Sequence, residues 1–95
     1  MSGTEPVSQN SAAAPMFKVL LLNDDVTPME FVVWVLETVF EKTRDEAIKI
    51  MLTTHENGIG VCGVYNAEDA GSLVKRVMAE AAKVQYPLKC AMERD

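Results

Sequence analysis

The chain has 95 residues, of which 48% are hydrophobic and 24% are charged, and its formal net charge is −5 at pH 7. This length and composition predict one folded domain rather than two domains or a disordered chain. The acidic balance argues against a nucleic-acid partner, and no apolar run approaches the ~18 residues that a membrane-spanning helix needs.

The N-terminus indicates a cytoplasmic protein. Residues 1–15, MSGTEPVSQNSAAAP, have neither the basic start nor the apolar stretch of a secretory signal, and we expect them to form a disordered extension. The folded core domain is predicted over residues 16–95. Cys62 and Cys90 belong to no CxxC pattern, so we expect both to be buried thiols of a cytosolic protein.

The core is predicted to begin with a strand and a helix. The apolar run FKVLLL, residues 17–22, predicts a strand that Asn23 ends. Thr27 and Glu30 stand at the spacing of a capping box, which predicts a helix over residues 28–41. The apolar face of this helix is predicted to be Met29, Val32, Val33, Leu36, Val39 and Phe40.

A second helix, a strand, a third helix and a last strand follow. A capping box at Thr43 begins the second helix, and Gly58 supplies a left-handed position at which it ends. Residues 60–65 predict a strand, Asn66 caps the third helix, and residues 88–92 predict the last strand. The buried face of the third helix is predicted to be Ala70, Leu73, Val74, Val77, Met78, Ala81 and Val84.

The predicted element order is therefore β-α-α-β-α-β. Two helices separate the first strand from the second, and one helix separates the second from the third. The resulting chain reversals predict that the first strand is antiparallel to both of the others. A three-stranded sheet with the first strand in the middle then has only antiparallel neighbours. With the helices on one face of that sheet, the predicted fold is a two-layer, single-domain α+β structure.

Three oxygen-rich side chains, Asn23, Asp24 and Asp25, stand between the first strand and the first helix. No Lys or Arg lies within four residues of them, and a carboxylate near apolar surface needs a partner. One interpretation is that they fill a turn and complement the positive end of the helix. Because Thr27 is expected to fill the cap, we do not take this as the whole explanation.

Two chemical interpretations find little support in the spacing. A metal site would gather Asp24, Asp25 and His55, but the sequence has no Ca²⁺ loop, no second His and no HExxH motif. Hydrolysis would need a nucleophile near a Gly-rich turn, and NGIGVCG lacks the Lys and the following helix of a phosphate loop. We therefore expect no metal, no cofactor and no enzymatic activity.

The remaining interpretation is recognition of an ammonium group. An –NH₃⁺ group has three donors and no acceptor, and Asn23, Asp25 and His55 each offer an acceptor. An apolar wall beside them would suit a peptide α-amino group that is followed by a large hydrophobic first side chain. The members of this wall are Leu22, Met29, Val32 and Met51. The two methionines are equally compatible with ordinary core, and periodicity alone leaves that open.

Three stretches resemble the signatures of a known family. They are NDDVTPMEFVVWVL, IMLTTHENGIGVCGVY and YPLKCAMERD. They resemble ClpS, the adaptor that delivers N-end-rule substrates to the ClpA/ClpC-type unfoldase of an ATP-dependent protease. The resemblance runs from Phe17 to Asp95. It implies a small α/β domain that packs on the N-terminal domain of the unfoldase, and an N-terminal extension that engages the unfoldase pore.

The resemblance also implies a role for each matching residue. Asn23, Asp25 and His55 would hold the α-amino group of the substrate. Asp24 and Thr27 would lie at the edge of the pocket. The hydrophobic side-chain pocket would be formed by Leu22, Met29, Val32, Met51, Thr54 and Leu88. The implied substrates are N-degron peptides and proteins that begin with Leu, Phe, Tyr or Trp, because Met29 would exclude β-branched first residues.

Several positions depart from the family pattern. Val26 replaces the usual Tyr, and Thr54 replaces the usual Val, which is expected to make one wall of the pocket more polar. The docking helix reads AEDAGSL instead of A-E-x-A-E-T-K. Glu68 is thus retained for unfoldase docking, while Gly71 and Leu73 replace a Glu and a Lys. These changes are typical of a divergent paralogue with altered docking.

An alternative of a different class is a small α/β protein-interaction module that delivers no degron. The C-terminal domain of the ribosomal stalk protein has a similar topology. Such a module would not need the cluster of Asn23, Asp24, Asp25 and His55. Binding to peptides with free and acetylated N-termini would separate the two functions.

Overall fold

The computed structural model describes residues 14–95, so most of the predicted N-terminal extension, residues 1–13, lies outside it. The described chain has the predicted order β-α-α-β-α-β. The elements are β1 (Met16–Leu22), α1 (Met29–Thr38), α2 (Arg44–Asn57), β2 (Ile59–Asn66), α3 (Ala67–Lys83) and β3 (Lys89–Arg94). In this part of the chain no helix is both long and apolar enough to cross a membrane.

The three strands form one antiparallel sheet with β1 in the middle, as predicted. In the register, Leu21 lies opposite Gly60 of β2 and opposite Cys90 of β3. A β-bulge between Val19 and Leu20 shifts the pairing with β2 by one residue. Because β1 is paired on both sides, its C-terminal end is held rigidly where the acidic segment begins.

The core lies between the sheet and the helices. Val19 and Leu21 alternate along β1 and are both 0% exposed, and they pack against buried residues of α1 and α3 such as Leu36 and Val77. Burying a Val or Leu side chain of this kind stabilises the fold by ~1.5–3 kcal/mol. The helices therefore cover one face of the sheet, and the predicted two-layer α+β fold is confirmed.

Both cysteines are free and buried, as predicted. Burial raises the pKa of the Cys90 thiol to about 12 and also raises that of Cys62. Both side chains therefore behave as small hydrophobic groups of the core.

The predicted capping box at the start of α1 was wrong, although the helix begins within one residue of the predicted position. Thr27 does not cap the helix; Pro28 occupies the N-cap position, with no side-chain cap hydrogen bond. The backbone N–H groups of Phe31 and Val32 both donate to the Pro28 carbonyl, at 3.0 and 3.3 Å. The Thr27 hydroxyl instead donates to the Asp24 carboxylate at 2.8 Å. The Asp24 carboxylate is charged and therefore a stronger acceptor, so it binds the Thr27 hydroxyl that the sequence pattern had assigned to the helix cap.

The end of α1 also comes earlier than predicted, at Thr38 rather than residue 41. Glu41 adopts a left-handed backbone with φ 55°, and the Lys42 N–H donates to the Leu36 carbonyl at 3.1 Å. This closing hydrogen bond stops the helix without a glycine.

The other helix ends follow the sequence pattern. Thr43 forms the predicted capping box, and Gly58 ends α2 with φ 85°. The Asn66 side chain accepts from the Asp69 N–H at 2.8 Å at the start of α3. The predicted face of α3 was too wide, because Met78 and Val84 are 39% and 48% exposed. Both lie beyond the stripe that faces the sheet, which consists of Ala70, Val77 and Ala81 with Leu73 and Val74 partly buried.

Candidate functional site

A cavity of about 180 Å³ lies where β1 ends, between the first turn of α1 and the C-terminal half of α2. Its walls are Leu22, Asn23, Asp24, Asp25, Thr27, Met29, Val32, Met51, Thr54, His55 and Leu88. These eleven are the residues that the sequence predicted for an ammonium site, its edge and its side-chain pocket. The structure therefore brings together residues that lie up to 66 positions apart in the chain, Leu22 and Leu88.

Asp24 organises the turn between β1 and α1. Its Oδ1 atom accepts from the Val26 N–H at 2.8 Å and from the Thr27 N–H at 2.6 Å. Its Oδ2 atom accepts from the Thr27 hydroxyl at 2.8 Å. The carboxylate thus folds the turn back on itself as an Asx turn, and it holds the flanking Asn23 and Asp25 in place.

Asp24 remains ionised in this position. Burial pushes the pKa of Asp24 upward, but the hydrogen bonds from Thr27 and Val26 outweigh it, with a smaller contribution from the charge of Lys89. The pKa is therefore lowered from its usual value. Lys89 is close because it pairs with Leu22 across the sheet. The sequence suggested that the acidic segment had no cationic neighbour, and β3 supplies one.

One backbone hydrogen bond joins the acidic turn to the end of α2. The Asn23 N–H donates to the Gly58 carbonyl at 2.9 Å, while the Gly58 N–H donates to the Thr54 carbonyl at 2.9 Å. Gly58 can close both bonds because its left-handed backbone turns the chain from α2 into β2. His55 lies in the last turn of α2 and is thereby brought to the same cavity as Asn23 and Asp25.

Asn23, Asp25 and His55 are exposed, whereas the walls below them are apolar. Within residues 14–95 the Asp25 carboxylate makes no ion pair and no side-chain hydrogen bond. Asp24 differs, because both of its carboxylate oxygens accept hydrogen bonds. A carboxylate, an amide oxygen and an imidazole nitrogen at one cavity mouth are acceptors for a cationic donor.

The apolar part of the cavity is formed by side chains of different burial. Leu88 and Val32 are buried, Met51 is half-buried, and Met29 is 46% exposed. Met29 is the first residue of α1, so its side chain lies over the preceding turn. It therefore stands at the rim of the cavity rather than in its floor.

Thr54 is the one buried polar side chain of the described chain. Its hydroxyl donates to the Ile50 carbonyl at 2.8 Å, one turn earlier in α2. Thr54 therefore adds less polarity to the wall than expected, because its single hydroxyl proton is already donated within the helix.

The cavity does not present the parts of a hydrolytic site. Its only hydroxyl groups belong to Thr27 and Thr54, and both donate to other acceptors. Across residues 14–95 no group of three His, Cys, Asp or Glu side chains is placed to hold a metal ion. The arrangement of acceptors at the mouth and apolar walls inside is suited to a group that is cationic at one end and apolar at the other.

Glu68, predicted to contact an unfoldase, lies elsewhere. It is exposed in the first turn of α3 and does not line the cavity. Glu68 therefore belongs to a surface other than the walls of the cavity.

A family model described as "ATP-dependent Clp protease adaptor protein ClpS" matches residues 12–91 of the chain. The ATP-dependent Clp protease adapter protein ClpS of Phenylobacterium zucineum is 53% identical over 92 residues, which cover 97% of this chain and 82% of that protein. The corresponding protein of Gluconobacter oxydans is 59% identical over 80 residues, which cover 84% of this chain and 67% of that protein.

A solved structure is also similar to this chain. It is that of Agrobacterium tumefaciens ClpS2 bound to L-phenylalaninamide, with a TM-score of 0.83 and 34% sequence identity. The similarity covers 85% of this chain and 98% of that one. Both fold and sequence thus agree with the family that the motifs indicated.

Proposed function

The chain belongs to the ClpS family, adaptors of the ATP-dependent Clp protease, and on this basis we propose that it recognises N-degrons. It binds the free α-amino group and the first side chain of proteins that begin with Leu, Phe, Tyr or Trp. It then delivers them to a ClpA/ClpC-type unfoldase. The observation that carries this proposal is that one cavity combines exposed acceptors at its mouth with apolar walls inside.

The mouth of the cavity suits an ammonium group. The three donors of –NH₃⁺ would be met by the Asn23 amide oxygen, the Asp25 carboxylate and a neutral His55 nitrogen. Asp25 supplies the charge, because the Asp24 carboxylate already accepts three hydrogen bonds within its own turn. Hydrogen bonds that involve a charged group contribute ~1.5–3 kcal/mol each.

The inside of the cavity suits a large apolar side chain. An apolar cavity of about 150 Å³ is sufficient to bind benzene, and this one measures about 180 Å³. Rings of Phe or Tyr and the branched end of Leu therefore match it in size. L-phenylalaninamide, which the similar ClpS2 structure contains, has the same combination of a free amino group and a phenyl ring.

Delivery requires a second surface, which we assign to the start of α3. Glu68 is exposed there and is free to contact the N-terminal domain of an unfoldase. Leu73, which replaces a Lys of the family pattern, packs partly against the core and so contributes no charge to that surface. We therefore expect docking to be weaker than in a family member with the full charged helix.

The proposal is tested with two peptides that differ by one acetyl group. A fluorescent peptide beginning with Phe is titrated with the protein in free and N-acetylated forms, and anisotropy is recorded. Acetylation removes the charge and two donors, so the affinity is expected to fall at least about tenfold. Equal affinities would refute ammonium recognition and would favour an interaction module without degron delivery.

A further inference from the structure

A glycine of β2 lies directly behind one wall of the cavity. Gly60 is buried and pairs with Leu21 of β1. A methyl group at position 60 would overlap the Thr54 hydroxyl oxygen, and it would lie 3.1 Å from Thr54 Cβ and 3.2 Å from the Ile50 carbonyl oxygen. Strand β2 and helix α2 therefore approach each other this closely because residue 60 has no side chain.

The backbone at Gly60 does not itself require glycine. Among the glycines of residues 14–95, Gly58 alone has a positive φ. The φ of Gly60 thus lies in a range that other residues adopt without strain. An alanine at this position would act through contact with Thr54 rather than through backbone conformation.

The Thr54 side chain has little freedom to avoid such a contact. It is 3% exposed, and its hydroxyl lies between the Ile50 carbonyl, to which it donates, and Gly60. A threonine in a helix has only two favoured χ1 rotamers. Rotation away from position 60 would break the hydrogen bond to Ile50, and the side chain that has to move is one that lines the cavity.

We propose that Gly60 is a specificity-determining residue that keeps Thr54 withdrawn from the side-chain pocket. This inference rests on the proposed function, since it concerns the same cavity. A cavity of about 180 Å³ leaves little spare volume around an aromatic ring. If the Thr54 side chain moved into the cavity, the affinity for peptides that begin with Trp, the largest first residue, would fall most. The affinity for peptides that begin with Leu would fall least.

The test compares Gly60→Ala with wild type on peptides that begin with Trp and with Leu. Overfilling a packed site by a methyl group typically costs roughly 5- to 150-fold in affinity. We expect the Trp peptide to lose at least about tenfold and the Leu peptide at most about threefold. Gly71→Ala is the matched control, because a methyl group at that position of α3 meets nothing within 4 Å.

A second substitution tests the mechanism. Thr54→Ala removes the overlapping hydroxyl, so Gly60→Ala is expected to lower the Trp-to-Leu affinity ratio less in the Thr54→Ala background than in the wild-type background. If Gly60→Ala alone does not fold, the double variant is still expected to fold and bind. An equal loss of the Trp-to-Leu ratio in both backgrounds, or failure of the double variant to fold, would overturn the inference.

A ligand-free measurement separates this inference from the proposed function. Three-bond NMR couplings report the χ1 angle of Thr54, and this angle is expected to change in Gly60→Ala and to stay the same in Gly71→Ala. An unchanged χ1, or an unchanged Trp-to-Leu ratio in a folded Gly60→Ala protein, would overturn the role of Gly60. Failure of the wild-type protein to bind any free N-terminus would instead overturn the proposed function, before a variant is examined.

Discussion

Replacing each of the two adjacent aspartates by alanine is expected to give opposite phenotypes. Both substitutions remove one negative charge from the same turn. Asp24 accepts three hydrogen bonds, from the Val26 N–H, the Thr27 N–H and the Thr27 hydroxyl, at 2.6–2.8 Å. Asp25 is exposed and has no side-chain partner in the described chain. We therefore expect Asp24 to contribute mainly to stability and Asp25 mainly to ligand binding.

The size of each effect follows from these contacts. A net hydrogen bond contributes ~0.5–1.5 kcal/mol, and water can replace the acceptor at the exposed Val26 N–H, so Asp24→Ala is expected to cost about 2–3 kcal/mol of unfolding free energy. In a domain of this size that lowers Tm by roughly 10–20 °C. Asp25→Ala is expected to change stability by no more than about 0.5 kcal/mol. It should weaken binding of a Phe-initiated peptide by roughly 10- to 150-fold, because a charged hydrogen bond to the ammonium is lost.

The assay combines thermal unfolding, followed by circular dichroism, with peptide anisotropy on the same samples. Asp24→Asn is the control, since its amide oxygen still accepts from the two backbone N–H groups and should retain part of the stability. A Tm for Asp25→Ala as low as that of Asp24→Ala, or a wild-type Tm for Asp24→Ala, would refute this division of roles.

Further measurements test the pH dependence, the rim, the core and the docking surface. Because the folded-state pKa of Asp24 lies below its usual value of 3.8, its contribution to stability is present above that pH and is lost as the pH falls through the folded-state pKa. The Tm difference between wild type and Asp24→Ala should thus narrow as the pH falls below about 3.8, and a constant difference down to pH 2 would contradict this. Met29→Ala should lower the ratio of the Ile-peptide to the Leu-peptide dissociation constant by roughly tenfold, because the side chain at the rim that excludes β-branched residues is removed. An unchanged ratio would mean that Met29 does not exclude them. Cys62 and Cys90 should resist a thiol reagent at pH 8 until urea unfolds the protein, since burial raises the pKa of both, and rapid labelling of the native protein would argue against their burial. Gly71→Glu should strengthen binding to the unfoldase N-terminal domain relative to Gly71→Ala. The alanine variant is the control, because it stabilises the helix by about 1 kcal/mol without adding charge. Equal binding by the two variants would count against the docking surface.

Local patterns in the sequence were sufficient for most of the fold. The capping box at Thr43, the left-handed Gly58 and the Asn66 cap each depend on residues within four positions of one another. Such interactions depend mainly on neighbouring residues, so the local pattern predicts them directly where no other partner competes. Chain reversals then determined the strand directions, and the antiparallel sheet followed.

The local pattern failed at Thr27, where two partners compete. Its spacing to Glu30 is that of a capping box, but Asp24 lies equally near in the chain and offers a charged acceptor. Sequence spacing gives no measure of which acceptor is stronger once the turn has folded. The same competition makes Asp24 part of the scaffold and leaves Asp25 available for a ligand.

The sequence alone predicted the eleven residues that line the cavity, ten of them within the family motifs and Leu22 from the apolar wall, but it did not show how they meet. The cavity depends on the Asn23–Gly58 backbone hydrogen bond and on β3 pairing beside β1, which bring His55 and Leu88 to the acidic turn. Lys89 near Asp24, and Gly60 behind Thr54, were visible only in the tertiary structure. Both are contacts between elements distant in the chain, and such contacts depend on sheet register and helix packing rather than on local spacing.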